Sequence, residues 1–202
     1  MKRLKLAIQK SGRLSEQSKQ LLKDCGIKIQ NGKNALRVSA TNFPIDLFYL
    51  RDDDIPQYVQ DGIADIGIVG ENVLLEKNSR CEILQKLGFA KCRLSLAIPK
   101  NIDYQGVEYF KNKKIATSYP VILSDFLSKN NVTSEIHEIS GSVEIAPNIG
   151  LAEAICDLVS TGSTLFSNGL KEVEQVLKSE AVIIGNPNIS DAQKEILEKL
   201  IF

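Results

Sequence analysis

This sequence predicts an α/β protein built as two lobes with mainly parallel sheets, and three observations carry that prediction. Short apolar runs of the buried-strand type alternate with amphipathic segments along nearly the whole chain, the pattern of strands joined by helices. The motif G-[IL]-A-[DE] occurs twice, as Gly62-Ile63-Ala64-Asp65 and Gly150-Leu151-Ala152-Glu153, each time after a helix and before a buried strand. With 202 residues and 43% hydrophobic content, the chain has material for one large core or two small ones.

Taken in order, residues 4–8 read as a buried strand and QKSGR as the loop after it. Residues 14–25 form a helix that Gly26 stops. Short β segments follow at 27–29, 35–39 and 45–50. Asp54-Ile55-Pro56 opens a helix ending at Gly62, the acid suited to a cap and the proline to the first turn. ADIGIVG (64–70) is a buried strand and 71–77 a helix. Strands at 82–87 and 93–98 flank Gly88, and Pro99 ends the second. A helix near 107–112, a strand at 114–117, a helix at 121–130 and the strand-like SEIHEIS come next.

The stretch SGSVEIAPNIGLAEAICDLVSTGSTL (140–165) then predicts a short helix over 143–149, a turn at Gly150 and a buried strand through 155–159. After a hydroxyl-rich loop, a further helix starts at Leu165. Beyond Gly169, residues 171–178 read as a helix and 181–184 as a strand. Residues 191–201 read as a closing amphipathic helix capped by Ser190, its apolar face (Ile196, Leu197, Leu200, Ile201) either core or an oligomer contact. Two lobes with a cleft between them describe the type II periplasmic-binding-protein architecture. The expected division is residues 1–89 with 176–202 in lobe I, and 90–175 in lobe II.

Composition narrows the functional classes. Lys plus Arg and Asp plus Glu number 25 each, so nothing in the net charge points to nucleic acid or an anionic membrane. The basic residues are uneven, however: Lys2, Arg3, Lys5, Lys10 and Arg13 all precede the first acid, Glu16. That start is either a solvated edge or a polyanion-binding one. No run approaches the roughly 20 apolar residues of a membrane span, and the N-terminus lacks a signal-peptide core. Four scattered cysteines and a single histidine, His137, argue against a zinc site and suit reduced thiols in the cytoplasm.

Ser160-Thr161-Gly162-Ser163-Thr164 is the candidate site. Between a strand's carboxyl end and a helix's amino end, such a loop gathers backbone N–H groups, with a glycine free to take positive φ. The helix dipole and hydroxyl donors then favour a phosphate. Asp157, near the strand's end, stands where sugar hydroxyls would lie. The same run is equally what a series of helix caps looks like, and spacing alone does not separate the two.

Resemblance does. GSVE-x-AP followed by GLAEAICDLVSTGSTL resembles the phosphoribosyl-diphosphate (PRPP) site of the ATP phosphoribosyltransferase family. QKSGRL (9–14) resembles that family's first loop, with Lys10, Gly12 and Arg13 toward polyphosphate. LRDDDIPQYVQDGIADIGIVGENVLLE (50–76), FAKCRLSLAIPK and IATSYP also match, so the likeness runs from Lys5 to about Gly169. Three positions depart from the family pattern: Asn72 stands where Asp is usual, Ser118 where Lys is usual, and Asn34, beside Lys33, where Arg is often found.

The resemblance implies transfer of a phosphoribosyl group from PRPP to N1 of ATP, releasing diphosphate. It implies Ser160, Thr161, Gly162, Ser163 and Thr164 on the 5′-phosphate, with Glu144 and Asp157 on the ribose. Lys10, Gly12, Arg13, Arg51, Asn72 and Tyr119 face ATP and diphosphate, and Arg13, Lys10 and Asp157 are the catalytic candidates. Mg²⁺ is implied as a companion of the substrates. A catalytic chain of this length resembles the family's short form. That form pairs with a histidyl-tRNA-synthetase-like regulatory subunit in a hetero-octamer of four and four. Two other readings share the fold: a solute-binding module, and a phosphoribosyltransferase with another acceptor.

Overall fold

The computed structural model describes residues 3–29 and 35–200. Lys2, Lys33, Asn34 and Ile201, singled out above, lie outside them. The chain divides into two compact units, Met1–Ala90 with Glu180–Phe202, and Lys91–Ser179.

The first unit begins with β1 (Leu4–Gln9), α1 (Arg13–Asp24), β2 (Arg37–Ser39), β3 (Ile45–Leu50) and, after a 3-10 turn at Asp52–Asp54, α2 (Ile55–Gln60). It continues with β4 (Ile66–Gly70), α3 (Glu71–Glu76) and β5 (Glu82–Lys86). The second unit holds β6 (Cys92–Pro99), β7 (Lys114–Thr117), α4 (Pro120–Lys129), β8 (Glu135–Glu138), β9 (Ala154–Val159), α5 (Ser163–Ser167) and β10 (Leu170–Ser179). The chain then returns to the first unit with β11 (Ala181–Gly185) and α6 (Asp191–Glu198).

The two sheets run in the orders β2-β3-β1-β4-β11-β5 and β10-β6-β9-β7-β8. Parallel pairing joins β3, β1 and β4 in one and β8, β7 and β9 in the other. Every other named strand pair is antiparallel. The expectation of mainly parallel sheets is therefore corrected to mixed ones: the returning strands β6, β10, β5 and β11 run against their neighbours.

The units repeat one plan. In each, a central strand (β1, β7) is followed by a helix (α1, α4). Two parallel strands pair on its two sides (β3 and β4; β8 and β9), and two antiparallel strands extend the sheet beyond (β11 and β5; β6 and β10). The doubled G-[IL]-A-[DE] motif holds the same place in both. The Lys5 N–H donates to Asp65 Oδ2 at 2.7 Å and the Asp65 N–H to the Lys5 carbonyl at 2.9 Å. The Lys114 N–H donates to Glu153 Oε2 at 2.8 Å and the Glu153 N–H to the Lys114 carbonyl at 2.9 Å. Each acid thus pins the start of the neighbouring central strand, which is a structural role. The motif glycines, at φ of 68° and 73°, make the preceding turn.

Each sheet buries apolar residues on both faces. In the first unit, Leu4, Leu6, Ile8, Ile45, Leu47 and Ile66 pack with Leu22 of α1 and Leu197 of α6, while Ile55 and Val59 of α2 cover the other face. Gly67 permits that cover, because a Cβ there would lie 2.6 Å from Ile55 Cγ2. In the second unit, Leu94, Leu96, Phe110, Ile115 and Leu123 form one layer, and Ala97, Val143, Ile155, Val159 and Leu165 the other.

Four elements differ from the sequence reading. Residues 171–178 are not helical but lie in the ten-residue strand β10. Val173 and Val176/Leu177 have helical spacing, and the pairing explains it: register shifts fall at Glu172/Glu174 and Gln175/Leu177. Two bulges, each adding a residue, stretch a period of two toward three. The helix expected over 143–149 is only the 3-10 turn Val143–Ile145, and that near 107–112 only the 3-10 turn Val107–Phe110. Residues 27–29 make a single bridge, Ile29 with Ala40, not a strand.

One buried charge tests the first unit. Asp46 is 4% exposed and accepts from Arg3 Nε at 2.7 Å and Arg37 Nη2 at 2.8 Å. Burial pushes its carboxyl up, but the hydrogen bonds from Arg37, Arg3 and Ser39 outweigh this and hold it at about 2. A depressed carboxyl contributes stability that is full above its ordinary 3.8 and is lost as pH falls through about 2. Asp46→Asn is expected to cost about 1–3 kcal/mol at neutral pH. It should also flatten the acid limb of the stability profile, as urea melts from pH 2 to 7 would register.

Candidate functional site

In the second unit, parallel β7, β8 and β9 end at one edge of the sheet, where open α/β sheets place ligands. Three sequence-predicted groups emerge there: Tyr119 after β7, Glu144 in the turn after β8, and the loop 160–164 after β9. Glu144, Asp157, Ser160, Thr161, Gly162 and Thr164 together line a pocket of about 130 Å³, a size suited to a phosphate and the near edge of a sugar.

The loop is shaped for an anion. Gly162 takes φ 81° and starts α5, and a helix start presents N–H groups that suit an anion, although the Ser163 N–H also donates to Thr161 Oγ1 at 3.4 Å. The Thr161 and Ser163 hydroxyls lie 3.0 Å apart, which ties the two sides of the glycine together. Leu165 is buried beneath, anchoring α5 to Val159 and Ile155.

Asp157 is the electrostatic centre. Burial pushes its carboxyl up to about 6, the Leu158 N–H opposing this at 2.8 Å from Oδ1 and the charge of Glu144 adding to it. Its oxygens can therefore accept from sugar hydroxyls at neutral pH and carry a proton in mild acid. Tyr119 does not line this pocket. Its ring packs against the layer around Phe110 and Leu123, and its N–H donates to Thr117 Oγ1 at 2.9 Å.

In the first unit, parallel β3, β1 and β4 likewise end together. The Lys10 N–H donates to the Leu50 carbonyl at 2.8 Å, which sets Lys10 beside Arg51. Gly12 (φ 90°) turns the chain into α1, so Arg13 opens that helix. Lys10, Gly12, Arg13 and Arg51 are all exposed. Asn72, on α3 just past β4, is only 4% exposed, so its side chain belongs mostly to the packing of that turn.

Two larger hollows lie elsewhere, about 700 Å³ around Lys5, Gly62 and Asp65 and about 650 Å³ around Lys114, Gly150 and Glu153. Both sit where the parallel strands begin and are lined by the strand-pinning acids. Size favours them, but strand polarity and the anion-shaped loop favour the smaller pocket. Among the described residues, no group of three or more His, Cys, Asp or Glu could hold a metal ion, and the four cysteines form no disulfide. No helix among them is long and apolar enough to cross a membrane.

Sequence reasoning missed Arg93, Ser95 and Glu172. Arg93 pairs with Glu172 and approaches the Ser160 carbonyl, and Ser95 also donates to Glu172. The alternation in Arg93-Leu94-Ser95-Leu96 signalled a polar pair on one face of a strand. Glu172 was hidden by the helical reading of β10.

Comparison with known proteins identifies the family. The profile of a family described as ATP phosphoribosyltransferase matches residues 51–202. The ATP phosphoribosyltransferase of Bacteroides thetaiotaomicron is 60% identical over 199 residues, covering 98% of this chain and 70% of that protein. Among solved structures, the ATP phosphoribosyl transferase (HisG:HisZ) complex from Thermotoga maritima superposes with a TM-score of 0.82 at 31% identity, covering 98% of this chain and 96% of that one. The alkanesulfonate-binding protein SsuA from Xanthomonas axonopodis pv. citri, 11% identical, gives 0.62 over 99% of this chain and 71% of its own, a likeness of fold alone.

Proposed function

From the premise that this chain belongs to the ATP phosphoribosyltransferase family, we propose how its residues divide the work of the reaction. The enzyme is a pentosyltransferase that moves the phosphoribosyl group of PRPP to N1 of ATP, releasing diphosphate, the first step of histidine biosynthesis. The observation that carries the residue roles is the pocket that gathers Glu144, Asp157, Ser160, Thr161, Gly162 and Thr164 at the start of α5.

The loop takes the 5′-phosphate through backbone N–H groups and the hydroxyls of Ser160, Thr161, Ser163 and Thr164, with Gly162 making the turn that points them inward. Asp157 and Glu144 accept hydrogen bonds from the ribose hydroxyls. Adenine N1 attacks C1 of the ribose with its own lone pair, so no protein base is needed. As the bond to diphosphate breaks, the sugar gains oxocarbenium character, which the two carboxylates tolerate. Lys10 and Arg13, with Gly12 and Arg51 beside them, take the negative charge that grows on diphosphate and the phosphates of ATP. Catalysis is then mainly positioning and electrostatics.

Mg²⁺ travels with the polyphosphates as part of the substrates. The likeness to the HisG:HisZ complex supports a partner subunit. On the proposed reading that partner is a histidyl-tRNA-synthetase-like regulatory chain, the assembly is a hetero-octamer of four and four, and it works in the cytoplasm. Asn72 and Tyr119 are peripheral nucleotide contacts on this reading, since one is buried and the other packs on the core.

The test is to mix the chain with PRPP, ATP and Mg²⁺, with and without the regulatory subunit, and follow diphosphate release and the absorbance of the N1 adduct. Adduct is expected, faster with the partner. PRPP binding without adduct in either mixture would point to another acceptor, and no PRPP binding to a solute-binding module.

A further inference from the structure

Arg93 and Ser95 of β6 stand opposite Val159 and Asp157 of β9. Directly opposed residues of an antiparallel pair project to the same side of a sheet. Arg93 therefore shares the face that carries Asp157. Its Nε and Nη2 grip both carboxylate oxygens of Glu172 on β10, the two-point pairing a guanidinium makes with a carboxylate. Ser95, 1% exposed, donates to Glu172 Oε1 at 2.7 Å and so fixes the acid from a second side. The arm of Arg93 left over, Nη1, lies 3.4 Å from the carbonyl oxygen of Ser160, the first residue of the loop.

That contact has a geometric consequence. The carbonyl of Ser160 and the N–H of Thr161 belong to one planar trans peptide and point in opposite directions. Drawing the carbonyl toward Arg93 turns the Thr161 N–H away from it, and Thr161 lines the pocket. We infer that Arg93, locked by Glu172 and Ser95, is a positioning residue that sets the first peptide of the loop for the 5′-phosphate. It touches no reacting atom and acts through the backbone of Ser160. The inference rests on the assignment of the loop to PRPP. Arginine is needed because the role takes a planar fork with a third arm free, which a lysine lacks.

The experiment compares the whole chain with its Arg93→Lys, Glu172→Gln and doubly substituted forms, in steady-state kinetics and PRPP titrations. Each single change is expected to raise KM for PRPP about 5- to 10-fold, the worth of one charge-assisted hydrogen bond. The turnover number and KM for ATP should stay within about 2-fold. The double variant should be no worse than Arg93→Lys alone, because the two residues act as one unit. A lowered melting temperature with an unchanged KM for PRPP would reduce the pair to sheet stability and overturn the inference. Weak PRPP binding in Arg93→Lys but not in Glu172→Gln would mean that Arg93 meets the ligand itself, which also overturns it. Failure of the unsubstituted chain to bind PRPP would instead remove the loop assignment beneath.

Discussion

Replacing Asp157 with asparagine is expected to raise the melting temperature and to weaken PRPP binding by about 10- to 100-fold at once. The two effects have one cause. Burial, with the charge of Glu144 nearby, lifts the carboxyl of Asp157 from 3.8 to about 6 against the pull of the Leu158 N–H. A group whose folded value lies above its unfolded one contributes most at low pH and loses that contribution as pH rises through the folded value. Ionised Asp157 therefore strains the fold at pH 7, by up to about 3 kcal/mol. The amide removes that strain and keeps the bond from Leu158, but it loses the charge that ribose hydroxyls donate to. Melts of both forms between pH 4 and 8 should converge at the acid end, separate as pH rises from about 4 to about 6, and stay a constant distance apart above that. Equal melting at pH 7.5 together with normal PRPP binding would falsify the role given to Asp157.

The second large effect concerns Arg13. As the exposed first residue of α1, it should be replaceable by alanine with a change in stability within about 0.5 kcal/mol. The turnover number, in contrast, should fall about 10²- to 10³-fold, the usual scale for removing one preorganised partner of a charge that develops during reaction. Arg13→Lys should recover part of it, since a point charge remains but not the two-point grip. Diphosphate release at saturating PRPP and ATP measures this directly. A turnover number within 3-fold of the unsubstituted chain in Arg13→Ala would move the leaving-group role to Lys10 and Arg51.

Much of this fold is legible in the amino-acid sequence. Gly26, Pro56 and Ser190 mark helix ends by local chemistry, and local chemistry is what a sequence displays. The doubled motif foretold two units of one plan because Asp65 and Glu153 do the same job in each. The loop after β9 could be placed for a similar reason, as its glycine and hydroxyls are contiguous. What stayed hidden depends on distant partners. Whether 171–178 is helix or strand turns on β6, which supplies the bulged register, and not on Val173 and Val176 themselves. Glu172 was invisible for that reason, and with it the support behind Ser160. The mixed sheets were equally illegible, since strand direction is decided by where a connection lands.

The position of β11 governs the order in which this protein can be assembled. It sits between β4 and β5, so β5 has no partner strand until residues 181–185 exist. A nascent chain that has just completed β5 exposes the open side of β4 and an unpaired β5 while nearly a hundred further residues are made. The intervening unit is contiguous in sequence and can close on its own meanwhile. Maturation thus runs from the inside of the chain outward, and truncation before Ala181 leaves a sheet with a missing middle and an edge prone to self-association.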